Sequence, residues 1–224
     1  MSILDKFPLV QSRPLSFYLH MSLTNTRAQR NSRIWLPLSL LIAVLILRVL
    51  RQHDIFIGTP NLSPLMALAF TGALMFPQNM KWWAWALVLP VVDVFSLGVA
   101  SLTILPYSCY ALAAWCGARL RGRMGVLDTL AGTLVCSVLF YLVTNTSCWL
   151  TMPEYAKNIS GWVQALTVGI PGPYPTTLEF FRNSLVADFI GSLVLLFLYN
   201  LEAVIRNLRI MPLLGFTKPQ TLLA

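Results

Sequence analysis

Two carboxylates stand inside long apolar runs: Asp93, in Pro90-Val91-Val92-Asp93, and Asp188, in Val186-Ala187-Asp188. A charge placed inside a bilayer is costly, so an acid in such a run marks a site of function by default. It can hydrogen-bond a polar ligand, hold a cation or carry a proton. Both acids have suitable company. Ser184, Asp188 and Ser192 are four apart and share one helical face. Tyr141, Asn145 and Trp149 do the same, with Thr144 beside them, and Tyr107 and Tyr110 sit in a neighbouring run. Each face sets hydrogen-bonding groups beside an apolar or aromatic surface, which is the make-up of a small-molecule pocket. Asn61-Leu62-Ser63-Pro64 opens a further apolar run. Ser63 reads most simply as an N-cap with proline at the first helical position. Its functional alternative is a helix start that turns its positive end to an anionic ligand group. Changing Asp93 or Asp188 to alanine is expected to abolish ligand binding and leave the chain folded.

Other chemistries find no support. The four cysteines, Cys109, Cys116, Cys136 and Cys148, all lie in apolar runs and form no Cys-x-x-Cys pair. They read as small buried hydrophobes. His20 and His53 lie outside the runs, and no zinc-ligand spacing can be built. No metal site or cofactor is expected. There is no phosphate-binding loop, no Gly-x-Ser-x-Gly and no His-Glu-x-x-His. The Gly-x-Gly-Asp pattern of intramembrane aspartyl proteases is missing around both acids. The expectation is a protein that is not an enzyme.

These side chains need elements to hold them, and composition says which. Of 224 residues, 57% are hydrophobic and 11% charged, about half the charged share of an ordinary soluble domain. A soluble fold of this size could not bury so much apolar surface. The reading is an all-α, polytopic membrane bundle of about six spans: Ile34–Leu50, Leu62–Phe76, Trp82 to about Val99, about Leu102–Ala118, Val126–Leu150 and about Asn183–Ile205. Residues 1–33 form a polar basic tail, 34–205 the membrane domain and 206–224 a short C-terminal tail.

The net charge of +8 is written as topology, not as a nucleic-acid face. Lys6, Arg13, Arg27, Arg30 and Arg33, then Lys81, then Arg119, Arg121 and Arg123, then Arg206, Arg209 and Lys218 fall on one side. Arg48, Arg51, Lys157 and Arg182 fall on the other. Six spans with both termini in the cytoplasm satisfy the positive-inside rule. Trp82, Trp83 and Trp85 then read as an interfacial belt, and Asp128 and Glu202 as acids at cytoplasmic span ends with no assigned role. Asp93 falls past the middle of its span toward the outside, and Asp188 about one turn in. The candidate groups thus converge on the outer half of the bundle.

The one long connection, 151–182, carries an apolar stretch too short to cross, Trp162–Ile170, followed by Pro171-Gly172-Pro173-Tyr174-Pro175. It either lies in the interface or re-enters under a cover of protein, and could act as a lid. Small residues at four-residue spacing, Ala69 with Ala73 and Ala114 with Ala118, mark close helix contacts, internal or with a partner membrane protein.

Taken in order, Asn61-Leu62-Ser63-Pro64, Leu89-Pro90 with Asp93, Thr144-Asn145 with Trp149, then Tyr155, Gly161 and Asp188 resemble a bacterial family of six-span membrane proteins. That family looks like the substrate-binding S components of energy-coupling-factor transporters. The resemblance covers roughly residues 34–205 and departs from the pattern at Pro171–Pro175 and in its long N-terminal tail. It implies a binding subunit of the bacterial plasma membrane for a micronutrient, such as a vitamin or its precursor. A transmembrane coupling protein and two cytoplasmic ATPases would power it. The residues alone leave two alternatives open: a gradient-driven transporter or channel using Asp93 or Asp188, and a membrane scaffold with no ligand.

Overall fold

The computed structural model describes Ser39, Ile42, Ile46 and residues 63–75, 81–97, 104–172 and 175–215, all within one compact unit, Arg33–Ala224. Ser39, Ile42 and Ile46 are helical. The rest of the first expected span, the tail 1–33, and Asn61, Pro173 and Tyr174 lie outside the described residues, as does the tail beyond Gly215.

The described residues are all-helical, with no strand among them. Helix α1 runs Leu65–Met75. It is α-helical at both ends and wound as a π-helix over Leu68–Gly72. Helix α2 is Trp82–Leu97, α3 Ile104–Arg119, α4 Val126–Thr151, α5 Ile159–Leu166 and α6 Thr177–Ile205. Among the described residues only α4 and α6, at 26 and 29 residues, are long and apolar enough to cross a membrane. At about 1.5 Å per residue they reach roughly 40 Å.

Every residue of α1 is buried. Its sequence is apolar on all sides apart from Thr71, as a helix enclosed by others must be. It is surrounded by α3, α4 and α6. The approach of α3 is close because Gly117 has no side chain: a Cβ there would collide with the Phe70 carbonyl oxygen. Ala69, Ala73 and Ala114 are buried in the same packing and Ala118 is half-buried. The small faces are thus spent inside the chain. Helix α2 packs on α3 and carries Pro90 in its interior. Helices α4 and α6 run antiparallel, with Thr133 opposite Ser192, Ser137 opposite Asp188 and Tyr141 opposite Phe181.

The last helix begins six residues before the expected Asn183. Thr176 and Glu179 form a capping box: Glu179 Oε2 accepts from the Thr176 N–H at 2.8 Å, and Thr176 Oγ1 accepts from the Glu179 N–H at 3.3 Å. Asp188 therefore lies about three turns into α6, not one. The other end closes on a Schellman motif. Asn207 adopts φ 53°, while the Leu208 N–H donates to Ala203 and the Asn207 N–H to Val204.

The chain then turns back. The carbonyls of Pro212 and Leu213 accept from the Val126 and Leu127 N–H groups at 2.9 and 3.0 Å. Asp128 Oδ2 accepts from the N–H groups of Gly125 and Gly215. Segment 211–215 thus satisfies two of the orphan donors at the start of α4. Glycine at 125 and 215 permits the approach, since a Cβ at either would meet the opposing backbone. Asp128, given no role by sequence, fastens this clip.

Candidate functional site

The start of α1 is where elementary physics makes the strongest demand. A helix leaves its first four N–H groups without internal partners, and here Leu65, Met66 and Ala67 are buried. The cap position is Pro64, not Ser63, and it offers no side-chain bond. The expected serine N-cap is therefore corrected. Asp188 supplies the acceptor from α6. Its Oδ1 accepts from the N–H groups of Met66 at 3.0 Å and Ala67 at 3.1 Å. Its Oδ2 accepts from Ser137 Oγ at 2.7 Å. The carboxylate, 4% exposed, also meets the positive end of the helix dipole. The anion expected at this helix start is a residue of the chain itself.

The other end of α1 is held by the opposite charge. Arg121, in the turn after α3, donates from Nε to the Ala73 carbonyl at 2.6 Å. Cations stabilise helix C-termini for the same reason that anions stabilise N-termini. Between the two ends, Thr71 in the π-wound turn meets Thr133 at 2.9 Å and Ser192 at 3.1 Å, and Ser192 donates to Thr133 at 3.1 Å. Thr133 donates on to the Thr129 carbonyl, and the Ser137 hydroxyl, whose single proton faces Asp188, also has the Thr133 carbonyl at 3.0 Å. This hydroxyl ladder went unnoticed in the sequence apart from Ser192, although Thr129, Thr133 and Ser137 stand four apart.

Asp93 has different surroundings. It is 2% exposed and accepts from the Tyr107 hydroxyl at 2.7 Å. The Tyr107 and Tyr110 rings lie 6.4 Å apart, tilted, and Tyr110 stacks on Phe140 with centroids at 5.0 Å. Phe140 is one turn from Ser137, so the two aspartate clusters meet α4 at neighbouring levels. A buried acid, two phenols and an aromatic wall form a surface that can bind a polar, planar group.

The remaining candidates divide. Asn145 Nδ2 donates to the Tyr141 carbonyl and Ser184 Oγ to the Phe181 carbonyl, so each bonds its own helix. Trp149 donates from Nε1 to the Ala156 carbonyl and ties down the connection after α4. Tyr141 donates to the Leu166 carbonyl and stacks on Phe181 at 4.2 Å. Helix α5 is capped by Asn158, which accepts from the Gly161 N–H. It buries Gly161 and Ala165 and leaves Ile159 and Val163 exposed. Tyr155 is buried in the same connection, and burial pushes its hydroxyl above the ordinary tyrosine range. Among the described residues no group of His, Cys, Asp and Glu is placed to hold a metal.

A family model described as "Family of unknown function (DUF6580)" matches residues 28–208. The chain belongs to this family. The DUF6580 match spans α1 to α6 and both aspartate clusters, and stops before the 211–215 clip. No curated protein and no solved structure matches the chain. For this DUF6580 member, the likeness to S components rests on the sequence motifs alone.

Proposed function

We propose that this DUF6580 member is a six-span protein of the bacterial plasma membrane, with both termini cytoplasmic. In this reading it is a substrate-binding subunit for a small micronutrient, energised by a separate coupling protein and ATPases. Membrane placement is supported by an inverted distribution of polarity. Thr71, Asp93, Thr129, Thr133, Ser137, Asp188, Ser192 and Glu202 are buried, whereas Val135, Leu139, Ile190 and Phe197 on α4 and α6 are exposed. A chain that puts carboxylates inside and aliphatic groups outside is matched to an apolar solvent.

The observation that carries the binding reading is the Asp93–Tyr107 pair with Tyr110 stacked on Phe140. Asp93 accepts from the phenol of Tyr107, and such a pair can exchange the phenol for a ligand group. The chemistry fits a flat, polar ligand with hydrogen-bond donors, as many vitamins have.

The test is native mass spectrometry of protein purified gently from its own membranes, wild type beside Asp93→Asn. A discrete added mass on the wild type, lost in the variant at unchanged melting temperature, is the expected result. The same mass on both would remove Asp93 from the pocket. A bare wild type, still bare after incubation with a vitamin mixture, would favour a second reading, a membrane scaffold. That reading draws on the Asp188 cluster, whose bonds are all internal and structural.

A further inference from the structure

The clip formed by residues 211–215 gathers two kinds of side chain that seldom share a water-exposed surface. Ile205, Ile210, Leu213 and Leu214 are exposed, and Leu127 beside them on α4 is exposed as well. Leu213 and Leu214 lie against Gly125, and Gly215 lies against Arg123 and Met124. The apolar residues of the tail therefore sit beside the turn joining α3 to α4. That turn and its surroundings bear Arg119, Arg123, Arg206 and Arg209, all exposed. The acids at this end are engaged: Asp128 by two backbone N–H groups and Glu202 by Arg206 at 3.1 Å. The end of the bundle is thus apolar and cationic at once, and continuous with the exposed aliphatic surface of α4 and α6.

We infer that the segment Ile205–Gly215, together with the 119–123 turn, seats in the headgroup layer of an anionic phospholipid leaflet. The leucines and isoleucines enter the acyl boundary and the arginines meet phosphates. Two arguments select this occupant. Aliphatic groups rimmed by arginine match the make-up of interfacial membrane segments, where apolar burial and attraction to anionic lipid add. The surface also extends that of α4 and α6, so one solvent covers both. The tail would then have a second task besides capping α4: it fixes the depth of the bundle at its basic end. This inference rests on the membrane placement proposed above.

The experiment uses the wild-type chain in nanodiscs doped with a diazirine-bearing phosphatidylglycerol or a diazirine-bearing phosphatidylcholine. Adducts are mapped by peptide mass spectrometry. Val135 and Leu139 on α4 report membrane placement, and Ile210, Leu213 and Leu214 report the tail. The expected result is α4 adducts with both probes and tail adducts chiefly with phosphatidylglycerol. Replacing Arg119 and Arg123 by glutamine should lower the tail signal about fivefold per arginine, with α4 labelling unchanged. Labelling of α4 without the tail would overturn the inference and leave the membrane reading standing, and would turn attention to a protein partner on this face. Equal tail labelling by both probes would remove the anionic headgroup from the proposal. Absence of adducts on α4 would overturn the membrane reading and this inference with it.

Discussion

Asp93 and Asp188 look alike in sequence, each an acid set within an apolar run, and both are buried. Their partners differ. Asp188 answers backbone N–H groups in the first turn of α1, and Asp93 answers the hydroxyl of a tyrosine. A backbone donor is fixed by the helix that carries it, whereas a phenol can turn toward something else. The comparison teaches that burial alone does not tell two such acids apart. The kind of partner does.

The sharpest way to break this contrast is Asp188→Ala. Two buried N–H groups lose the Asp188 acceptor and the Ser137 hydroxyl is left with only the Thr133 carbonyl, and the expected loss is about 3–5 kcal/mol. The sequence alone led to a different expectation, a folded chain that had lost its ligand. Denaturation in a mild detergent would show a large drop in midpoint, with Asp188→Asn falling between the variant and the wild type. Next in size is Gly117→Ala, which pushes a methyl group into the Phe70 carbonyl and should cost about 2–3 kcal/mol as α3 moves off α1. The same melts would detect it, and a neutral result would mean that the two helices are less tightly apposed.

Arg121→Met keeps the aliphatic stem and removes the cation at the far end of α1. A loss of about 1 kcal/mol is expected, smaller than at Asp188 because one carbonyl and the negative dipole end are affected. Smallest is Thr71→Val, which is nearly isosteric and deletes one hydroxyl from the ladder. About 0.5–1 kcal/mol should be lost, as for other interhelical hydroxyl bonds in membranes. A loss at Thr71 larger than that at Asp188 would reverse the ranking and move the weight of the fold to the hydroxyl triad.

How much of this was legible beforehand depends on the range of the interaction. The two long helices α4 and α6 could be read from apolar length, and the all-helical class followed. The start of α6 was misplaced although its signal was local: Thr176 three residues before Glu179 is a capping box, hidden by the Pro-rich run just before it. Asp93 with Tyr107 and Tyr110 was picked out residue by residue, but its connection to Phe140 was not, because Phe140 looks like any lipid-facing aromatic. The role of Asp188 was beyond reach. It depends on α1 being internal and on Pro64 leaving its first donors free, neither of which the order of residues announces. Arg121 was read only as a topological charge for the same reason. The clip of Gly215 on Asp128 joins residues 87 apart in sequence, and no periodicity encodes such a contact.

The most direct measurement is hydrogen exchange over residues 63–75 in the wild type, Asp188→Ala and Asp93→Ala, each in the same nanodisc. The account predicts early exchange at Met66 and Ala67 in Asp188→Ala, ahead of the rest of α1, and wild-type protection in Asp93→Ala. Equal protection of those two amides in all three proteins would contradict it, and would leave Asp188 free for the ligand-binding role that its sequence position first suggested.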